Sequence, residues 1–163
     1  MNSSHSVRVY AGYRQFYLRD ADRPSGSGDP SFWTEEAFRT RMPIAPGIVG
    51  AFTDTYGEVP VTLLVLDAAP ALELAAFDHV VEGPLELSAG RAALEGCPDE
   101  PTGLVLTLPA GSCRVRISMM GLRPEPDETE YNGDSYIVEI WPAPAAERRV
   151  LKDWSGPSTE GSR

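Results

Sequence analysis

Cysteine and histidine are scarce in this sequence, with two of each among 163 residues. Cys97 and Cys113 form no C-x-x-C motif, and two cysteines are too few for a disulfide-based fold. Alternation along its strand places Cys113 on an inward face, whereas Cys97, in EGCPDE, is expected at the surface. His79 lies among strand residues, and the adjacent Asp78 would point to the opposite face. We therefore expect a structural histidine, no catalytic residue and no cofactor.

Positive charge is also in short supply, since 14 Lys and Arg stand against 24 Asp and Glu, for a net charge of −10. Nucleic acids and anionic lipids bind basic surfaces, so this balance argues against direct contact with either and permits a basic protein partner. No apolar run approaches the roughly 20 residues of a membrane span. The start MNSSHSVRVY lacks the basic and apolar regions of a signal peptide. We therefore predict a cytoplasmic protein without membrane association.

Enzyme motifs are absent as well: the sequence contains no G-x-S-x-G, H-E-x-x-H, P-loop or G-x-G-x-x-G. We therefore predict no enzymatic activity. Two acidic loops, RDAD (Asp20, Asp22) and PDETE (Asp127, Glu128, Glu130), have side chains that bind calcium in some β-rich modules. The EF-hand pattern is missing and acidic loops are usually solvated, so no metal ligand is assigned. A β-sandwich that binds a small ligand, with calcium or glycan dependence, stays open as an alternative function.

The chain is rich in turn residues and short strand patterns, with 15 Gly and 15 Pro. The strand patterns cover residues 7–20, 48–54, 59–67, 84–90, 105–108, 113–119 and 135–144, with a further edge strand or arm at 148–156. The clearest hairpin is VLTLPAGSCRVRISMM, in which PAG supplies the turn and the second strand alternates with period two. Residues 71–82 fit either a helix or a strand.

About eight strands with turns between them predict a mainly β fold, a single-domain antiparallel β-sandwich. We assign this domain to residues 1–154 and a disordered C-terminal tail to residues 155–163.

One short helix is predicted near residues 34–42. Thr34 is a favourable N-cap, and Trp33 can pack on Phe38 as a hydrophobic staple. Glu35 and Glu36 occupy the first turn, where the helix dipole stabilises negative charge. Phe38 shares a face with residues 37, 41 and 42, and that face is expected to close one end of the sandwich. Whether Trp33 is buried in the staple or offered to a partner stays open.

The surface combines acidic stretches with aromatic residues that can anchor an interface. Such a face suits a protein inhibitor of a basic nucleic-acid-processing enzyme, because carboxylates pair with the lysines and arginines that otherwise hold phosphate. The candidate partner-binding residues are Trp33, Glu35, Glu36, Asp54, Tyr56, Glu58, Asp127, Glu128 and Glu130.

Several segments occur in an order that resembles a known family: GYRQFYL, FWTEEA, GIVGAFT, VTLLVLD, FDHVVEGPLELSAG, LTLPAGSCRVRI and DSYIVEIWP. The series resembles the competence protein J family, inhibitors of the DNA-entry nuclease of transformable bacilli, or an uncharacterised bacterial relative of it. The resemblance implies a non-enzymatic cytoplasmic protein that binds and silences a metal-dependent DNase. The chain departs from that family at Cys113, where an aromatic is expected, and in the longer EPDETEYNGD loop and APAAERRVLKDWSG extension.

Overall fold

The computed structural model describes residues 2–24, 26–98 and 100–154. These residues form eleven strands: β1 (Ser3–Ala11), β2 (Gln15–Asp20), β3 (Ile44–Ala45), β4 (Ile48–Phe52), β5 (Gly57–Val65), β6 (His79–Leu87), β7 (Arg91–Gly96), β8 (Glu100–Thr107), β9 (Gly111–Met120), β10 (Ser135–Pro142) and β11 (Arg149–Lys152). One helix, α1 (Glu35–Thr40), and three 3-10 turns (Gly12–Arg14, Pro30–Phe32 and Leu74–Ala76) complete the secondary structure of this part of the chain. The predicted tail at 155–163 lies outside the described residues.

The strands form two sheets that pack face to face, as predicted for a β-sandwich. The first sheet has the order β1-β5-β10-β9-β6-β11, and the second has the order β3-β4-β2-β7-β8. Pairing is antiparallel except between β5 and β10, which run parallel, so the first sheet is mixed. No helix in the described ranges has the length and apolar character needed to cross a membrane.

Alternating side chains of both sheets meet in one main core. Val61 and Leu63 of β5 point inward with Val138 of β10, and they share a buried cluster with Phe16 and Leu94 of the second sheet. In β9 the predicted inward residues Cys113, Val115, Ile117 and Met119 are all buried in this cluster. Burial of this apolar surface is the main stabilising contribution to the sandwich.

The predicted single strand at residues 7–20 is wrong, because the chain breaks between β1 and β2. Tyr13 and Arg14 adopt φ values of 56° and 61° there, in the left-handed region. This turn carries the chain from the edge of the first sheet to the middle of the second. The N-terminal segment therefore contributes one strand to each sheet and connects them covalently.

The predicted hairpin is also wrong, although both of its strands exist. β8 pairs with β7 in the second sheet, whereas β9 pairs with β6 and β10 in the first. The turn at residues 108–110 is thus a crossing between sheets. It packs against Gly90, where φ is +74° and a side chain would meet the carbonyl oxygen of Leu108 at 2.2 Å. Glycine is required at this position because both the backbone conformation and the space exclude a β-carbon.

Residues 71–82, ambiguous in sequence, divide into the 3-10 turn Leu74–Ala76 and the start of β6. The predicted strand at 84–90 is the second half of that same strand. The outward Arg116 of β9 pairs with Glu82 of β6 at 2.7 Å. Arg114 also reaches Glu82 and donates to the carbonyl oxygens of Ala146 and Glu147, so the C-terminal extension covers this face.

A second, smaller buried cluster lies beyond the second sheet and contains Tyr17, Phe32, Ala45, Ile48 and Cys97. The expectation of an exposed Cys97 is wrong, since this residue is only 6% exposed. Its Sγ accepts a hydrogen bond of 3.2 Å from the Tyr17 hydroxyl. Cys97 directly follows β7 and lies in this cluster, although its neighbours in sequence are acidic.

Candidate functional site

A cleft of about 820 Å³ opens on the surface where four segments meet. These segments are α1, the 3-10 turn after β1, the loop from β4 to β5, and the loop after β9, with the C-terminal residues 153–154 at one side. Its lining is mixed, with five aromatic residues and four arginines. This size and composition are typical of a binding site.

Three aromatic side chains form the apolar wall of the cleft. The rings of Phe38 and Phe52 are stacked, with centroids 4.9 Å apart and planes 1° from parallel. The Trp33 ring lies 6.2 Å from Phe52 and 6.5 Å from Phe38, and its Nε1 donates to the carbonyl oxygen of Ser27 at 2.8 Å. Trp33 is 40% exposed and Phe38 is 57% exposed. The wall is thus held in place by internal contacts and still presents aromatic surface to solvent.

The helix α1, which contributes Phe38 to this wall, begins as predicted but packs differently. Thr34 is the N-cap, and its Oγ1 accepts from the backbone N–H of Ala37 at 3.1 Å. Arg41 ends the helix in the left-handed conformation, before Pro43. Ala37 and Thr40 face the protein, but Phe38 points outward onto Phe52, so the predicted inward placement of Phe38 is wrong. Trp33 is therefore both packed against Phe38, as in a hydrophobic staple, and partly exposed to solvent.

Asp54 joins three segments at the base of the cleft. Its Oδ1 accepts from Arg41 Nη2 at 3.0 Å, and its Oδ2 accepts from the backbone N–H of Arg123 at 2.7 Å. The Asp54 side chain is only 4% exposed, and that of Arg41 is 19% exposed. Because the pair is largely shielded from water, it fixes the relative position of the helix end and both loops.

A second buried carboxylate, Asp134, holds the backbone of Asp54 in place. Its Oδ2 accepts from the backbone N–H groups of Asp54 and Thr55, at 3.0 and 3.1 Å, and from the Tyr136 hydroxyl. Its Oδ1 accepts from the Thr55 hydroxyl. Burial, with the nearby Asp134 charge, raises the pKa of Tyr136 well above its usual range. The phenol therefore stays protonated and remains a donor in this network.

His79 lies under the other side of the cleft and is fully buried. Its Nδ1 accepts from the backbone N–H of Trp154 at 3.1 Å, and its Nε2 lies 2.7 Å from the carbonyl oxygen of Thr40. These partners place the proton on Nε2, which donates to Thr40. Burial lowers the pKa of His79 despite the Thr40 hydrogen bond, so the ring is neutral at pH 7. The predicted structural role is confirmed: His79 links the helix end to the C-terminal segment.

The arginines of the cleft differ in how closely a carboxylate approaches them. Arg39 pairs with Glu36 on α1 at 2.5 Å, and Arg14 lies 3.9 Å from Glu128. Arg123 is exposed, and none of the carboxylates in the described ranges lies within ion-pair distance of its guanidinium. Among the described residues, Arg123 is therefore the cleft arginine without an ion pair, although its charge adds to the Thr129 hydrogen bonds that lower the pKa of Asp127.

The structure brings several candidate partner-binding residues to the cleft. Trp33 and Asp54 line it, although the buried Asp54 acts there as a structural link rather than as an exposed contact. Glu36 and Glu128 contact lining arginines. Tyr56 lies beside the cleft residue Tyr13, with ring centroids 5.5 Å apart.

The remaining candidates are exposed and lie farther from the lining. Glu35 is in the first turn of α1, and Glu58 pairs with Arg8 at 3.5 Å. Asp127 accepts from the backbone N–H of Thr129 at 2.7 Å and so shapes its own loop, while Glu130 is exposed in the same loop.

Sequence reasoning did not select Phe38, Phe52, Arg41 or Arg123 as parts of a site. Their spacing in the chain carries no common signal, because they come from three distant segments: α1 with its C-cap residue, β4, and the loop after β9. The one indication of a site in the sequence was an aromatic residue on a short helix, Phe38, which proves to lie on the outer side of that helix.

The acidic loops considered for calcium do not come together. Asp22 pairs with Arg91 at 2.7 Å, and the backbone N–H of Ser88 donates to the buried Asp20 at 2.8 Å. Across residues 2–24, 26–98 and 100–154, no group of three or more His, Cys, Asp and Glu side chains is arranged to bind a metal ion.

The two packed sheets of the described residues define a mainly β protein of the sandwich class. No protein-family model matches the chain, and a search of curated proteins finds no match. Among solved structures, the fold is similar to that of ComJ from Bacillus subtilis, described as an inhibitor of the DNA-degrading activity of NucA. The TM-score is 0.66 at 16% identity, and the match covers 88% of this chain and 99% of ComJ.

A second similar structure is described as crocagin biosynthetic gene J, with a TM-score of 0.56 and 19% identity over 88% of this chain and 99% of the other. The protein thus has the ComJ-like fold, and the resemblance read from its sequence segments is confirmed at the level of fold.

Proposed function

We propose that this protein is a non-enzymatic inhibitor that binds a metal-dependent DNase in the cytoplasm. The observation that carries the proposal is the fold, which matches ComJ over 99% of that inhibitor's chain. The surface cleft supplies the second element of the argument, since an inhibitor needs an ordered, partly apolar surface for its partner.

The exposed aromatic wall is the anchor of the proposed interface. Trp33 and Phe38 are large, exposed and held by neighbouring rings, so they lose little conformational freedom on binding. Trp, Tyr and Arg side chains dominate the binding energy of protein interfaces. The contact surface proposed here centres on Trp33 and Phe38 and extends to Tyr56 and the acidic candidates Glu35, Glu36, Glu58, Asp127, Glu128 and Glu130.

Charge supports a basic partner at long range. The net charge of −10 attracts a protein whose surface is basic because it binds DNA. Complementary charge of this kind raises the association rate and makes it fall with added salt. The first turn of α1, with Glu35 and Glu36 beside the aromatic wall, places two of these charges next to the anchor.

The test begins with a tagged pull-down from the source organism at low and physiological salt, followed by a plasmid-cleavage assay on any nuclease recovered. We expect the purified protein to block cleavage, and the Trp33→Ala variant to lose most of the inhibition. Leu72→Ala removes an exposed apolar side chain outside the cleft and serves as the matched control. Recovery of the bait alone, or a nuclease that cleaves at full rate in its presence, would overturn the proposal.

The cleft also supports a second candidate, a small-ligand-binding module. Its volume of about 820 Å³ lies in the range of pockets that hold organic ligands. Thermal unfolding in the presence of calcium and of a panel of sugars tests this alternative. A rise in melting temperature that Trp33→Ala abolishes would favour the ligand-binding function.

A further inference from the structure

The residues that line the cleft include more arginines than carboxylates, unlike the protein as a whole. The chain has a net charge of −10, yet the cleft is lined by four arginines and two aspartates, Asp54 and Asp153. Asp54 pairs with Arg41, which leaves three arginines and Asp153 in the lining. Arginines gathered in a concave site favour an anionic group that enters it.

Two of the cleft arginines are available to an incoming group. Arg123 is exposed and has no carboxylate at ion-pair distance in the part of the chain that the structure describes. Arg14 has only a long contact of 3.9 Å to Glu128, whose side chain is 84% exposed. Such a contact contributes little in water and is easily exchanged for a better one.

Acidic residues adjoin this basic centre on several sides. Glu36 contacts Arg39, and Glu128 contacts Arg14. Glu125 is exposed and lies between two lining residues, Pro124 and Pro126. The pattern is therefore a basic, aromatic centre with acidic neighbours, which is the reverse of what a uniformly acidic interface would show.

We infer that the cleft receives a cluster of carboxylates on the partner, and that these carboxylates lie within an otherwise basic surface. Arg123 and Arg14 pair with the carboxylates, Trp33 and Phe38 pack against the surrounding side chains, and the neighbouring Glu residues meet the basic surface. The inference rests on the proposed function. A metal-dependent nuclease presents this pattern, because carboxylates bind its divalent cation and basic groups around them bind phosphate.

This arrangement implies a direct mode of inhibition. A guanidinium that pairs with metal-binding carboxylates occupies the place of the cation's charge, and the protein covers the site from DNA. Arginine suits the role because its planar donors match the geometry of a carboxylate. Single-stranded DNA also binds to aromatic and arginine side chains, but the neighbouring Glu36, Glu125 and Glu128 would repel its phosphates.

Two fluorescein-labelled peptides of identical composition test the charge pattern directly. The first has Trp and Asp residues at its centre and Lys at both ends, and the second has Trp and Lys at its centre and Asp at both ends. Fluorescence anisotropy with the full chain is expected to show binding of the first peptide that is tighter by about tenfold, as one good charge pair provides. A labelled oligothymidylate is titrated in parallel.

Variants assign this preference to the cleft. Arg123→Glu is expected to abolish the preference for the acidic-centred peptide, whereas Arg149→Glu, an equal change of charge at an exposed position of β11, leaves it intact. Circular dichroism confirms that both variants are folded. Equal affinity for the two peptides, tighter binding of the oligothymidylate, or a preference unaffected by Arg123→Glu would each overturn the inference.

Failure of this inference is distinguishable from failure of the proposed function. Inhibition of a nuclease by a protein that shows no preference between the peptides would refute the charge pattern and keep the inhibitor. A clear preference for the acidic-centred peptide without inhibition of any recovered nuclease would support a cleft that binds carboxylates and would refute a nuclease as its partner.

Discussion

Arg41 and Asp54 form an ion pair at the base of the cleft, with 3.0 Å between Nη2 and Oδ1. Arg41 is the left-handed residue that ends α1, and Asp54 lies in the loop that leads into β5. The same carboxylate accepts from the backbone N–H of Arg123, in the loop after β9. One side chain therefore holds together three segments that are distant in sequence and that contribute Phe38, Phe52 and Arg123 to the cleft.

Replacing Asp54 by Ala is expected to lower the free energy of unfolding by about 3 kcal/mol, because it leaves the largely buried Arg41 without its partner. Urea denaturation followed by circular dichroism measures the change. Glu125→Ala, which removes an exposed carboxylate from the neighbouring loop, should have little effect. Equal stability of the two variants would show that the pair does not fix the base of the cleft.

His79 is expected to make stability depend on pH below neutrality. Burial lowers its pKa in the folded protein below the ordinary value of 6.5, so the unfolded chain binds the proton more readily. The contribution of the neutral ring is fully present above about pH 6.5 and is lost as the pH falls toward the lowered pKa. We expect His79→Gln to be less stable at pH 7 and to show a smaller loss between pH 7 and pH 5.

Urea denaturation at several pH values checks this expectation, with His5→Gln as the matched control, since His5 lies on the outer strand β1. The prediction concerns the difference between each variant and the unsubstituted chain, because carboxylates also titrate at the acid end. If the free energy of unfolding changes with pH equally in all three proteins, His79 is excluded as the source of the pH dependence.

Both thiols are expected to be unreactive in the folded protein. Burial, with a smaller contribution from the Glu86 charge, raises the pKa of Cys113 to about 11, so at pH 8 roughly one such thiol in a thousand is ionised. Cys97 is buried beneath Tyr17. We expect slow reaction with a disulfide reagent in buffer and fast reaction in urea, and the Cys97→Ser variant isolates the Cys113 signal. Rapid labelling of that variant in buffer would contradict the buried position.

The double substitution Glu35→Lys, Glu36→Lys is expected to slow association with the nuclease and to weaken its dependence on salt. Both carboxylates are exposed in the first turn of α1, where they stabilise the helix only modestly. Glu73→Lys, Glu147→Lys makes the same change in net charge at exposed positions away from the cleft. Stopped-flow measurement of the association rate of both variants separates an effect of charge at the helix from an effect of net charge. Equal association rates would exclude the helix from the contact surface.

The strand patterns and the cap of the helix could be read from sequence because they depend on local chemistry. Alternation in β9 correctly places Cys113 and Val115 inward, and Thr34 caps α1 through a hydrogen bond to a residue three positions later. Alternation indicates which face of a strand is buried, but it carries no information about which strand lies beside it. This is why the segments that become β8 and β9 look like a hairpin and yet belong to different sheets.

The site was less predictable, because its geometry depends on contacts between distant segments. Tyr13 and Arg14 adopt the left-handed backbone where the chain turns between sheets, although neither residue is a glycine. Asp54 reads as a surface carboxylate in DTYGE, and only the approach of Arg41 and Arg123 gives it a buried role. Trp33, predicted from the sequence as a partner-binding residue, lines the cleft, and its position next to the helix cap is the local signal that drew attention to it.

The parallel pairing of β5 with β10 has a consequence for the synthesis of the chain. Val61 lies beside Tyr136, so β5 gains its second neighbour only after most of the polypeptide has left the ribosome. Until then, β5 exposes unpaired backbone groups and an apolar face that other chains can bind. Nascent chains released before β10 should therefore aggregate, and the cell would obtain functional protein only from complete translation through that strand.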